Sequence, residues 1–419
     1  MYEKRILSNG LRLVFEKITY VKSVSIGIWM GTGSRNETMD NNGVSHFIEH
    51  MLFKGTPKRT SKQIAESIDS LGGQLNAFTG KECTCFYARC LDSHLDIAVD
   101  VLSDMLFNSL FSAKDIKLEK KVIVEEIGMY EDSPEELVHD ILSSSAWKNN
   151  PLGYSILGTA KSVGDLSRQD ILDYMSKNYT PGNTVISVAG NFDTDHIANL
   201  IETYFGKWLQ NHEKSNVEKA IFTPSINIKE KEIEQVHMCI GLNAIEHGND
   251  KLYTEIAINN VLGGGMSSRL FQKIRENKGL VYSIYSYPTS YKDSGLFTIY
   301  AAMNPLNVKE VLKLVKNEIN QLCSKGLSEE EISKSKEQLK GSYIIGLEST
   351  SARMNSIGKS ELMLGKIYSP EEVLEKIDQI NRKEIEDTID MVFRNQKASL
   401  ALVGKLPEDI DFERVINGR

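Results

Sequence analysis

The sequence predicts an α+β fold in which one αβ module is written twice. Three observations predict it. The chain has 419 residues, more than one ordinary core holds and close to two domains of about 200 residues each. Segments with strand alternation and segments with helical spacing interleave along the chain. Finally, FSAKDIKLEKK at residues 111–121 is echoed 216 residues later by LSEEEISKSKE at 327–337. Likewise NTVISVAGNFDTDHI at 183–197 is echoed about 213 to 214 residues later by KASLALVGKLPEDI at 397–410, the mark of an internal duplication. The expected domains are 1–212 and 220–419, joined by the polar stretch QNHEKSNVEK at 210–219.

Taken in order, the first module opens with a strand in which Val24, Ile26, Ile28 and Met30 alternate with smaller or outward residues. A Gly-rich polar turn follows, then a helix within residues 43–55 and another from 61 to 71 that stops at Gly72 and Gly73. Strands are expected at 74–79 and 84–90. A helix from about 95 to 106 carries Ile97, Val101 and Met105 on one stripe, and a long helix runs from about 113 to 130. YTPGNTVISVAGNF at 179–192 reads as a turn leading into a strand, with a helix from 195 to about 208.

Composition excludes several classes. The 41% hydrophobic and 25% charged fractions are those of a soluble globular protein. No window approaches 18 apolar residues, and MYEKRILSNG has no signal-peptide core, so a cytoplasmic protein without a membrane span is expected. A net charge of −8, with no basic run, argues against nucleic acid as a partner. Five cysteines are an odd number, and Cys83 and Cys85 stand too close to pair along a strand, so reduced thiols are expected.

The chemistry concentrates in GVSHFIEHMLFKG at residues 43–55. His46, Glu49 and His50 stand at relative positions 0, 3 and 4, which puts them on one face of a helix. Two imidazoles one turn apart can share a zinc-like ion, and a carboxylate beside them can take a proton from water. Val44, Phe47, Ile48, Met51 and Leu52 make the rest of the segment apolar. Burying the polar triple there without partners costs several kcal/mol, which coordination offsets; a satisfied structural cluster is the competing explanation.

A tetrahedral metal needs a third protein ligand besides water, and Asp or Glu is the usual choice in hydrolases. LEKKVIVEEI at 118–127 offers Glu119, Glu125 and Glu126. Glu119 and Glu126 share a helix face, while Glu125 points about 100° away, as a solvated residue would. The duplication supplies a test: at the repeat's offset Ser335 stands opposite Glu119 and Ser342 opposite Glu126, and the second half has no H-x-x-E-H. Groups needed for the fold would occur twice.

The chain resembles the pitrilysin/insulinase-type (M16) inverted-zincin metallopeptidases, most closely the short branch that includes mitochondrial processing peptidase β-subunits and bacterial relatives. The resemblance runs nearly end to end. It includes SNGLRLV at 8–14, GTGSRNE at 31–37, GVSHFIEHMLFKGT at 43–56, GGQLNAFT at 72–79, EKKVIVEEI at 119–127 and YTPGNTVISVAGN at 179–191. It implies a metallopeptidase LuxS/M16-like fold of two homologous domains, each a mixed or antiparallel sheet packed by helices. It also implies one Zn2+ per chain held by His46, His50 and Glu126, with Glu49 as catalytic base and Glu119 as a supporting carboxylate; a one-residue misalignment would put Glu125 in place of Glu126.

By the same resemblance, Asn76 and Ala77 lie on an edge strand that takes an extended peptide as an added strand. From the second half, Arg275 and Tyr282 correspond to an Arg and a Tyr that reach the substrate and the developing oxyanion. The GGG at 263–265 lacks any phosphate-loop continuation and reads as a turn. Relatives of this length supply half of a closed four-domain chamber, so a homodimer is implied. The expected activity is a zinc-dependent endopeptidase acting on peptides or precursor segments. The competing class is an inactive scaffold subunit of the same fold, and a zinc hydrolase of non-peptide substrates stands behind it.

Overall fold

Six segments rich in β-branched and aromatic residues form the first sheet: β1 (Tyr2–Ile6), β2 (Arg12–Lys17), β3 (Ser23–Met30), β4 (Gln74–Thr79), β5 (Thr84–Leu91) and β6 (Thr184–Gly190). Their order is β1-β2-β6-β3-β5-β4. Only β2 and β6 run parallel; the other pairs are antiparallel. The second sheet holds β7 (Ile226–Lys229), β8 (Val236–Asn243), β9 (Val281–Ser290), β10 (Gly295–Met303) and β11 (Ser399–Val403), in the order β7-β11-β8-β10-β9. Here β7 and β11 are the parallel pair. The orders coincide when β2, β6, β3, β5 and β4 are set on β7, β11, β8, β10 and β9. The duplication read from sequence is therefore a duplication of topology, with β1 added. This computed structural model describes residues 2–209, 217–394, 396–406 and 410–412. Residues 210–216 of the expected linker and 407–409 of the repeated segment lie outside the described residues.

The chain divides into two units that are not the contiguous halves 1–212 and 220–419. The first gathers Met1–Gly128, Tyr154–Val217 and Ile344–Ser369; the second gathers Met129–Gly153, Glu218–Tyr343 and Pro370–Arg419. The helix Thr350–Leu364, from the second half, packs on β3 and β6, and the helix Pro134–Ala146, from the first half, packs on β8 and β11. Thr350 follows Pro134 by 216 residues, so the exchange itself repeats at the sequence offset. Each exchanged helix follows a long one, Ala113–Asp132 or Glu329–Gly346.

The exchange explains why β3 departs from simple alternation. Seven of its eight residues are buried, because helices cover both faces of the sheet. On one face Trp29, Cys85 and Val185 pack with Met354 and Ile357 of the Thr350–Leu364 helix. Gly358 lets that helix lie directly on the sheet: a Cβ there would come 2.3 Å from Trp29 Nε1 and 2.6 Å from Ser187 Oγ. Trp29 Nε1 donates to Ser187 Oγ at 3.0 Å. The other face packs Ile26, Ile28 and Phe86 against Phe47, Ile48, Leu102 and Ile123 in one continuous core, each such side chain contributing about 1.5–3 kcal/mol.

Along the helix Leu95–Asn108 the buried stripe is Ala98, Val101, Leu102 and Met105. Ile97, expected on it, is 38% exposed. The five cysteines are free thiols. Among the described residues no helix is long and apolar enough to cross a membrane.

Candidate metal centre

The H-x-x-E-H segment forms the helix Val44–Leu52, opened by Gly43 and capped by a carboxylate that the sequence reading missed. Gly43 has φ +95°, and a Cβ there would lie 2.6 Å from the Leu157 carbonyl oxygen, so glycine is required. The buried Glu37 carboxylate accepts hydrogen bonds from the backbone N–H groups of Gly43 (2.7 Å) and Ser45 (2.8 Å) and from the Asn42 amide (2.8 Å). It thereby satisfies free donors at the positive end of the helix. Burial pushes the Glu37 carboxyl above the usual range, and these bonds oppose the rise. Its only sequence signal is its place at the end of GTGSRNE.

His46 is buried and its ring centroid lies 4.5 Å from that of His50. From the helix Ala113–Asp132, Glu126 presents Oε2 at 3.8 Å from His46 Nε2 and 3.7 Å from His50 Nε2. His46, His50 and Glu126 form the one group of three His, Cys, Asp or Glu residues among those described whose ligand atoms all lie within 4.8 Å of one another. The Nε2–Oε2 separations are too long for hydrogen bonds and a few tenths of an ångström wider than the roughly 3.3 Å edge of a tetrahedron with 2.0–2.1 Å bonds. Two nitrogens and a carboxylate oxygen so arranged fit a divalent ion of zinc's preference. Glu125 is exposed, as a solvated helix residue should be, and takes no part in the group.

Protonation supports the same donor set. Burial, assisted by the charge of His50, pushes His46 down to about 4, so near neutral pH its ring is uncharged and able to donate a lone pair. Glu119 is 2% exposed. Its Oε1 lies 2.8 Å from His50 Nδ1 and its Oε2 lies 2.6 Å from Lys54 Nζ. Burial alone would raise the Glu119 carboxyl, but the His50 bond and the Lys54 ammonium outweigh it and hold it below the usual range. Glu119 Oε1 stands where it accepts a proton carried on His50 Nδ1, the tautomer in which Nε2, 3.7 Å from Glu126 Oε2, is the ligand nitrogen.

Glu49 shares the helix face with the histidines. Its Oε2 accepts the Thr79 hydroxyl at 2.5 Å, and burial pushes its carboxyl above the usual range, opposed by that bond and by His50. Thr79 ends β4, the last strand of the first sheet. On the same strand Asn76 is exposed and Ala77 half-buried, and the Ala77 N–H donates to Asn76 Oδ1 at 2.8 Å. With β5 on one side only, the other edge of β4 has no strand partner among the described residues.

Arg275 and Tyr282 belong to the second unit, whereas His46 and His50 belong to the first. Arg275 sits in the π-helical turn Phe271–Glu276, its guanidinium 4.6 Å from the Phe271 ring centroid. Tyr282 stands near the start of β9 and is 74% exposed. Residues 263–265 form a turn, as expected. The second unit holds its own titratable cluster where the Pro134–Ala146 helix crosses the sheet. The Tyr287 hydroxyl is 2.8 Å from His139 Nδ1, the Tyr300 hydroxyl 2.9 Å from His237 Nδ1, and Cys239 Sγ 3.4 Å from His139 Nδ1. Burial pushes both histidines below the usual range, against the opposing charge of Glu135 on both and of Asp140 on His139.

Known proteins share both the halves and the whole of this architecture. Residues 12–160 match the family described as Insulinase (Peptidase family M16), and residues 165–339 match the Peptidase M16 inactive domain. A protein of Bacillus subtilis named an uncharacterized zinc protease is 43% identical over 97% of this chain and all of its own length. A Streptomyces coelicolor protein with the same description is 38% identical over 96% of this chain and 89% of its own. Among solved structures, a protease from Helicobacter pylori superposes with a TM-score of 0.91 at 18% identity, covering 96% of this chain and 99% of that one. A chain of complex III2 from Candida albicans gives 0.88 at 24% identity, covering 99% of each; at these identities the likeness is one of fold. On the sequence matches, carried across almost the whole length, the chain belongs to peptidase family M16, the insulinase family.

Proposed function

We propose that this chain is a zinc-dependent endopeptidase that cleaves extended peptides or precursor segments. The observation that carries the reading is the convergence of His46, His50 and Glu126 beside a buried Glu49, and the relatives named zinc proteases agree with it. His46 Nε2, His50 Nε2 and Glu126 Oε2 would hold one zinc ion per chain. When bound, zinc supplies Lewis acidity, lowering the pKa of a water to about 7 and polarising a carbonyl.

The protein's own groups supply the rest. Thr79 fixes one Glu49 oxygen, leaving the other to take the proton from the attacking water and hand it to the leaving amine. A peptide adding as a strand along β4 is held by main-chain bonds near Asn76 and Ala77, whatever its side chains. Tyr282 donates a hydrogen bond to the carbonyl oxygen as charge develops, and Arg275 grips a backbone carbonyl of the substrate. These two act from the same chain or from the second subunit of a homodimer that encloses the substrate in a chamber; a monomeric mass in solution at micromolar concentration contradicts the dimer. The scaffold reading has no observation in its favour, since the metal group and Glu49 are intact.

Glu49→Gln tests the proposal. Zinc content should persist while hydrolysis of a peptide mixture, read by mass spectrometry, falls about 10²–10⁴-fold. Undiminished hydrolysis would overturn it.

A further inference from the structure

We propose that Lys54 is a positioning residue of the metal centre: acting through Glu119, it fixes the His50 ring so that Nε2 faces the ion. The inference rests on the zinc-peptidase reading above. Lys54 follows the H-x-x-E-H helix, and its backbone N–H still donates to Met51 O at 3.1 Å. Its side chain is 30% exposed and reaches inward to a carboxylate that is 2% exposed, with Nζ 2.6 Å from Glu119 Oε2. Among the described residues that oxygen has no hydrogen-bond partner, so the ammonium is what compensates it. The other oxygen, Oε1, holds His50 Nδ1 at 2.8 Å.

The three groups form a line, ammonium to carboxylate to imidazole. Its far end sets a ligand's direction. Without the ammonium, a buried carboxylate oxygen loses its only compensation, and the carboxylate relaxes toward other donors. The His50 ring then loses the anchor that fixes its tilt, and the lone pair no longer points steadily at Glu126. Outer partners of metal-bound imidazoles act in this way. Ser335 occupies the place of Glu119 in the second half, where no imidazole needs holding.

The test uses the full chain and measures zinc affinity by competition with a chromophoric chelator. Lys54→Met should weaken zinc binding about tenfold, and Lys54→Arg should restore it to within about threefold, the scale expected of an outer partner. In a Glu119→Gln background Lys54→Met should have no further effect, and saturating zinc should restore the kcat of the single variant. If Lys54→Met loses its fold by circular dichroism, Lys54→Gln, which keeps a polar tip, is read instead. Wild-type affinity in the single variant, or equal weakening with and without Glu119, overturns the role of Lys54 alone. Failure of the unaltered chain to bind zinc overturns the zinc reading and this inference with it.

Discussion

The two units share one sheet order and a reciprocal helix exchange, yet only the first carries His46, His50, Glu119 and Glu126. At the 216-residue offset the second has Ser335 and Ser342 on its long helix. The same scaffold therefore folds with and without the polar group. What the difference teaches is that these carboxylates and histidines are not part of the fold's requirements; they add buried polarity to the first unit, of which Glu119 is compensated by His50 and Lys54. The second unit carries a histidine and tyrosine cluster at a different place, under its exchanged helix Pro134–Ala146, where the first unit has Trp29, Cys85 and Val185 under Thr350–Leu364.

The comparison can be broken most forcefully by moving a carboxylate. Ser335 is 2% exposed, so Ser335→Glu buries the group of Glu119 without its imidazole or ammonium and should cost about 3 kcal/mol or more in denaturant unfolding. Ser342 is exposed, and Ser342→Glu should stay within about 0.5 kcal/mol. Equal effects at the two positions would show that the halves are not built alike.

A smaller contrast lies under the exchanged helices. At Gly358 an added Cβ meets Trp29 Nε1 at 2.3 Å, whereas at Gly241 it meets the ends of Leu142 and Leu296 at 3.0 and 3.1 Å. Gly358→Ala should cost about 1–3 kcal/mol by overpacking and by disturbing the Trp29–Ser187 bond, while Gly241→Ala, where flexible leucine tips yield, should cost under about 1 kcal/mol. Thermal melts of the two variants decide it.

The smallest effect concerns acid. Burial lowers the pKa of His139 and His237 from the ordinary 6.5. Below pH 6.5 the unfolded chain takes up protons that the folded cluster refuses, so stability falls as pH drops from there toward the folded values. Replacing both histidines with glutamine should flatten the decline in melting temperature between pH 7 and 5. An unchanged slope would remove the cluster from the acid response.

Much of the candidate metal group was legible because helical spacing alone puts His46, Glu49 and His50 on one face and separates Glu126 from Glu125. The exposed Glu125 and the inward Glu126 follow that geometry. Lys54 and Thr79 were not legible, since each acts on a group that only tertiary packing brings near, Glu119 and Glu49; Glu37 was not, because its spacing does not show that the chain turns back to set its carboxylate on the Gly43 and Ser45 amides. The duplicated topology followed from the echoed segments. The helix exchange did not, because an offset says which elements correspond but not on which sheet a helix lands. For the same reason the alternation of Val24, Ile26, Ile28 and Met30 revealed one covered face of β3, while the second became visible only with Met354 and Gly358 in place.

The central claim is that the first unit, and not the second, holds a metal through His46, His50 and Glu126. Anomalous diffraction at the zinc absorption edge, from crystals of the full chain grown with zinc, tests it directly. One peak per chain among those three side chains is the predicted result. A peak held by other residues, or none, would contradict it.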